Sequence, residues 1–149
     1  MHQYRPIHIL LVEDNPDDVE ITRRAFSKSR VANELQVVRD GEEALEYLFR
    51  QGRYSDQTAR HLPDLVLLDL NLPRVNGLEV LQRIRAHGSL SAVPVIMLTS
   101  SQREEDIIAS YKSGSNTFIS KPVVFADFLR ALETLGEYWI VVAQLPKVA

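Results

Sequence analysis

The chain contains no cysteine among its 149 residues. Disulfides, thiolate zinc sites and cysteine nucleophiles are therefore excluded, and the composition fits a reducing cytosol. Long apolar runs are missing too. No stretch reaches the roughly 20 residues that span a bilayer, and residues 1–6 lack the apolar core of a secretory signal, so a cytoplasmic protein is expected. There is no basic tract: both signs of charge are interspersed, the net charge is -3 and the pI is about 5.8. Nucleic-acid binding thus has no electrostatic support. Neither common type of glycine-rich phosphate loop occurs, which leaves nucleotide binding unsupported. The four histidines, His2, His8, His61 and His87, are too dispersed to form a ligand set. Repeats and low-complexity tracts are absent. The remaining expectation is a single domain over 1–149, with its core at about 7–136 and an extension over 137–149. A domain of this size buries roughly 70% of its extended-chain surface and needs no staples.

Several short apolar runs each stop at a polar group. Residues 7–12 end at Glu13-Asp14, residues 65–68 at Asp69, residues 95–98 at Thr99-Ser100-Ser101, and residues 117–120 at Lys121-Pro122. Such runs read as strands of a parallel sheet buried on both faces. A short run at 35–39 supplies a further strand, the second along the chain. Helical patterns alternate with the strands, which is the βαβ signature.

The helix starts have chemical markers. Asn15-Pro16 places a capping side chain before a proline at the first helical position, and Val19, Thr22 and Phe26 mark the buried face. Asp40 and Glu43 form a capping-box pattern ahead of Ala44, Leu45, Leu48 and Phe49. Asn76-Gly77 opens a helix burying Leu78, Leu81 and Ile84. Ser101 with Glu104 opens another, burying Ile107, Ile108 and Tyr111. The fifth helix carries Phe125, Phe128, Leu129, Leu132 and Leu135. The polar stretch 51–63 reads as a surface excursion at the other end of the sheet from the strand carboxyl ends.

In an open parallel sheet, ligands bind outside the carboxyl ends of the strands. Glu13, Asp14, Asp69, Thr99 and Lys121 should therefore converge. Any one of them alone has an ordinary structural explanation as a cap or turn residue. Together, three acids and a lysine describe a site for a hard cation and a phosphoryl group. Magnesium takes one or two carboxylates with waters and phosphate, and a backbone carbonyl near Asn71 could complete the protein's share. One carboxylate can then act as nucleophile, with the cation and Lys121 stabilising the phosphoryl oxygens. The Thr99 hydroxyl is placed to bond a phosphate oxygen. Asp17, Asp18, Glu104, Glu105 and Asp106 lie near helix amino ends and are read as partners of the helix dipole, not as catalytic groups.

Leu11-Val12-Glu13-Asp14-Asn15, Leu67-Leu68-Asp69-Leu70-Asn71-Leu72-Pro73, Gly77, Leu98-Thr99-Ser100 and Ser120-Lys121-Pro122, in that order, resemble the receiver domain of two-component response regulators. The similarity covers about residues 7–135. It implies an α/β, doubly wound, five-stranded parallel sheet flanked by five helices, with flavodoxin-like strand order 2-1-3-4-5. It implies that Asp69 accepts phosphate from a histidine kinase, with Glu13, Asp14, Asp69 and the Asn71 carbonyl at a Mg2+ site. Thr99 would be the switch hydroxyl, Phe118 the switch aromatic, Lys121 the phosphoryl contact, and Pro122 would follow a cis peptide bond. The chain would be a signalling switch that catalyses only its own phosphorylation and dephosphorylation. Val124 is a departure, because the family often places a better helix cap there.

Within the family, the 51–63 loop and the 137–149 tail resemble the small single-domain regulators paired with cyanobacterial and bacterial phytochromes. A phytochrome-type kinase is therefore the expected partner. With only a tail after the fifth helix, output is expected through protein contacts or phosphoryl relay. Phe125, Phe128, Leu132, Leu135, Tyr138 and Trp139 suggest a homodimer through the fifth helix and tail. Two other classes compete. Haloacid-dehalogenase-like phosphotransferases place a second acid two residues after the nucleophile, where this chain has Asn71. A flavodoxin-like cofactor binder would have a Ser/Thr/Gly-rich first turn, where this chain has Glu13-Asp14-Asn15-Pro16.

Overall fold

The computed structural model describes residues 6–29, 32–56, 62–110 and 117–133. Strands β1 (Ile7–Val12), β2 (Asn33–Val38), β3 (Leu65–Asp69), β4 (Val95–Thr99) and β5 (Phe118–Ser120) alternate with helices α1 (Pro16–Ser27), α2 (Gly41–Phe49), α3 (Gly77–Ala86), α4 (Gln102–Ser110) and α5 (Phe125–Glu133). All strand pairs are parallel and their order is β2-β1-β3-β4-β5, as the resemblance implied.

Alternation along each strand divides the core in two. Ile9, Leu11, Leu65, Leu67, Ile96 and Leu98 face α1 and α5, where Phe26 and Phe128 meet edge to face at 4.6 Å. Leu10, Val12, Val66, Leu68, Val95 and Met97 face α2, α3 and α4, represented by Leu48, Leu81 and Ile108. The central strands β3 and β4 are buried at every position. Their uninterrupted apolar sequence follows from having helices on both faces.

The caps form locally. The Asn15 side chain accepts from the backbone N–H groups of Asp17 and Asp18, Asp40 from Glu43, and Asn76 from Glu79. Glu104 donates its backbone N–H to Ser101 Oγ. At Gly77 a Cβ would lie 2.2 Å from the Asp69 carbonyl oxygen. Only glycine lets α3 start this close beneath the end of β3.

Some details differ from the sequence reading. β2 begins at Asn33 and ends at Val38. Asn33 anchors its start by donating to the Phe26 carbonyl, and the Arg39 N–H turns aside to the Glu43 carboxylate. On α4, Ile108 is fully buried but Ile107 is exposed. Adjacent helical residues point about 100° apart, and the rotation of α4 over the sheet turns Ile108 inward and Ile107 outward. α2 buries Tyr47 as well as the expected residues, while Leu78 and Phe49 are only half-buried. The first part of the 51–63 excursion packs back on α2. Its short 3-10 turn, Gly52–Tyr54, sets the Tyr54 ring 5.0 Å from that of Tyr47, and the Tyr54 hydroxyl donates to Glu43. Tyr111, Leu135, the Leu132 side chain and the 137–149 tail lie outside the described residues.

Candidate functional site

The carboxyl ends of β1, β3, β4 and β5 bring the expected side chains to one edge of the sheet. Ladder register explains the convergence: Val12 pairs with Leu68, Asp69 with Leu98, and Thr99 with Ser120. The residues following these positions therefore leave the sheet side by side. Glu13 and Asp69 are almost fully buried, at 1% and 2% exposed, whereas Asp14 is exposed.

Lys121 holds the cluster together. Its Nζ donates to Asp69 Oδ2 at 2.9 Å, Glu13 Oε1 at 3.0 Å and Asp18 Oδ2 at 3.2 Å. Burial opposes the ammonium charge, but the hydrogen bonds and charges of Asp69 and Glu13 prevail and hold its pKa above the ordinary lysine range. Glu13 shows the opposite balance. Burial, followed by the Asp69 hydrogen bond and charge, pushes its pKa up to about 7, although Lys121 and the Asn15 N–H pull it down.

The remaining ligands are backbone and hydroxyl groups. The Asn71 N–H donates to Asp69 Oδ1 at 3.1 Å, fixing the carboxylate from the side opposite Lys121. Thr99 is fully buried, and its hydroxyl donates to the Ile119 carbonyl at 3.4 Å. The Lys121 N–H donates to the Thr99 carbonyl at 2.7 Å, which locks the two strand ends together. Lys121-Pro122 is a cis peptide bond, as the resemblance implied. Phe118 opens β5, half-buried against the core under α2, α3 and α4.

Among the described residues, Glu13, Asp14 and Asp69 form the one cluster able to gather three metal-ligating atoms, all within 4.8 Å of one another. These are hard oxygen donors at a partly open edge, and they fit a cation such as magnesium that retains part of its water shell. His8 and His87 are elsewhere: His8 Nε2 meets the Tyr47 hydroxyl at 2.7 Å, and the His87 ring lies on Phe49.

Sequence reasoning missed Asp18 as a site residue. Its place in the first turn of α1 predicts only a partner of the helix dipole, and the fold shows that its carboxylate also reaches Lys121, 103 residues away. The sequence predicts the same helix-end role for Glu104, yet it also accepts from the Asn71 side chain.

Residues 9–133 match the response regulator receiver domain as a family. The structure is similar to that of the bacteriophytochrome response regulator AtBRR, with a TM-score of 0.83, 49% identity, and coverage of 89% of this chain and 94% of that one. The sequence is 40% identical to a probable methanogenesis regulatory protein, FilR2, of Methanothrix harundinacea, over 91% of this chain and 84% of that protein. It is 36% identical to the response regulator Rcp1 of Synechocystis sp., over 95% of this chain and 94% of that protein. A Mn2+-bound form of Rcp1 has been solved, and it superposes with a TM-score of 0.72 at 36% identity, covering 95% of this chain and all of that one.

Proposed function

The chain belongs to the family of response regulator receiver domains, and from that premise we propose that Asp69 is its phosphoacceptor. The observation that carries this reading is the Lys121 ammonium, 2.9 Å from the buried Asp69 carboxylate and bonded also to the buried Glu13, at the strand ends. An Asp69 oxygen attacks phosphorus as the bond from phosphorus to the kinase's histidine nitrogen breaks. The nitrogen leaves with the electron pair, and the phosphoryl group becomes an acyl phosphate. Lys121 neutralises charge on the transferring oxygens, and the Asn71 N–H orients the nucleophile. Thr99 then gives up the Ile119 carbonyl for a phosphoryl oxygen, and Phe118 repacks toward the space the hydroxyl vacates.

The divalent cation that the acidic cluster fits is proposed to be Mg2+. Asp14, Asp69 and the Asn71 carbonyl would hold it, with Glu13 beside them. When bound, it offsets the repulsion among the acids and the charge of the phosphoryl group.

The similarity to a bacteriophytochrome response regulator supports a phytochrome-type sensor kinase as the phosphoryl donor. The protein would act in the cytoplasm, with 1–149 working as one receiver unit. No helix among the described residues is long and apolar enough to cross a membrane. Output would pass by protein contact or relay, with α5 and the 137–149 tail joining two copies. Catalysis would be limited to its own phosphorylation and dephosphorylation.

Acetyl phosphate with Mg2+ should label the protein with an acid-stable, base-labile phosphoryl group, and D69N should abolish the label. Undiminished labelling of D69N would move the nucleophile elsewhere. Phosphotransfer profiling against histidine kinases tests the donor, and preference for a kinase without a chromophore domain would overturn the phytochrome assignment. Sedimentation tests the dimer, which fails if the full chain stays monomeric with and without phosphate.

A further inference from the structure

The first turn of α4 is tied to the loops that carry the candidate site. Glu104 accepts two hydrogen bonds on two different oxygens. The Ser100 backbone N–H donates to Oε1 at 3.0 Å, and the Asn71 side-chain amide donates to Oε2 at 2.9 Å. The first of these belongs with the Ser101 cap and, by itself, shows only that a helix starts here. The second has no part in capping. It crosses from α4 to the loop after β3, a separation of 33 residues, and lands on the residue whose N–H holds Asp69. The neighbouring Glu105 accepts from Ser120 Oγ at 2.9 Å, next to Lys121. One helical turn thus grips the loops after β3 and β4 and the end of β5.

We propose that Glu104 is a positioning residue that latches the unphosphorylated arrangement and opposes a phosphoryl group on Asp69. This rests on Asp69 being the phosphoacceptor. A phosphoryl group brings nearly two negative charges and three acceptor oxygens. Ser100 follows Thr99 and Asn71 follows Asp69 by two residues, so their donors border the space it enters. Glu104 occupies one donor from each. The phosphoryl group competes for those donors and repels the carboxylate that holds them. Bonds made in only one of two states bias the equilibrium between them. Glu104 is half-buried and its partners are exposed, so the bias corresponds to a modest change in affinity, about three- to tenfold.

Calorimetric titration of the full chain with beryllofluoride, an acyl-phosphate mimic, in saturating Mg2+ tests this. E104Q removes the charge and one of the two acceptor oxygens while keeping a residue suited to the capping box. E104A removes both bonds. Both variants should bind beryllofluoride about three- to tenfold more tightly than wild type, with the affinity for Mg2+ alone unchanged. E104A should also melt at a lower temperature, which separates the cap from the latch. Unchanged or weaker beryllofluoride affinity in the two variants would reduce Glu104 to a helix cap. An equal gain for Mg2+ alone would assign the effect to general charge relief and overturn the latch. Failure of the wild type to bind beryllofluoride would instead refute Asp69 as phosphoacceptor.

Discussion

E13Q should stabilise this protein, and only at neutral and alkaline pH. Glu13 is 1% exposed, with one oxygen on Lys121 at 3.0 Å and the other accepting the Asn15 N–H at 3.2 Å. Burial and the adjacent Asp69 raise its pKa from 4.5 to about 7 despite those two donors. The folded chain therefore binds this proton more tightly than the unfolded chain. The group's contribution to stability is greatest below pH 4.5, declines between pH 4.5 and 7, and is fully lost above that. A rise of this size corresponds to about 3 kcal/mol. Glutamine is neutral at every pH and has nearly the same shape; its single oxygen can still accept from Lys121, and its amide can donate to Asp69 in place of the bond from the Asn15 N–H. Urea unfolding of both proteins, in chelator and from pH 4.5 to 8.5, isolates the effect, because the other titrating groups largely cancel in the difference. The two should be nearly equal at pH 4.5, with E13Q ahead by about 3 kcal/mol at pH 8. Added Mg2+ should narrow the gap by binding the ionised cluster of the wild type. A gap that does not change with pH, or an E13Q protein less stable than wild type at pH 8, would refute the account of Glu13 as a carboxylate ionised at a cost.

Three further outcomes follow from the same geometry. K121A leaves Glu13, Asp18 and Asp69 without their shared cation, and should cost roughly 3–5 kcal/mol at pH 8 in chelator, less at pH 5 where Glu13 takes up a proton; urea titration at the two pH values checks it. D14A should lose at least tenfold in Mg2+ affinity by calorimetry, a change of about 1.4 kcal/mol in binding, without a fall in melting temperature, since Asp14 is exposed. Val124 is 46% exposed and its carbonyl accepts from Phe128, so it holds the capping position of α5 with no side-chain acceptor. V124S should add about 1 kcal/mol of stability in thermal melts.

Much of this molecule was legible in its sequence because the signals are local. Four apolar runs ending at polar residues marked β1, β3, β4 and β5, and burial on both faces is what makes such runs continuous. Asn15, Asp40, Asn76 and Ser101 announced their helices because a cap bonds to N–H groups two or three residues away. Strand ends fixed the candidate site as well, since parallel strands deliver their following residues to one edge. The tertiary structure decided what depends on the relative rotation of distant elements. Periodicity alone did not choose between Ile107 and Ile108; the position of α4 over the sheet buried the second and left the first in solvent. Asp18 and Glu104 look the same in sequence, as acids in the first turn of a helix. The fold gives each a second partner, Lys121 for one and Asn71 for the other, on loops brought near by strand order and not by chain proximity. Tyr54 reads as part of a polar loop until Tyr47 and Glu43 appear beneath it. In each case the chain encoded which groups were available, and packing determined which of them met.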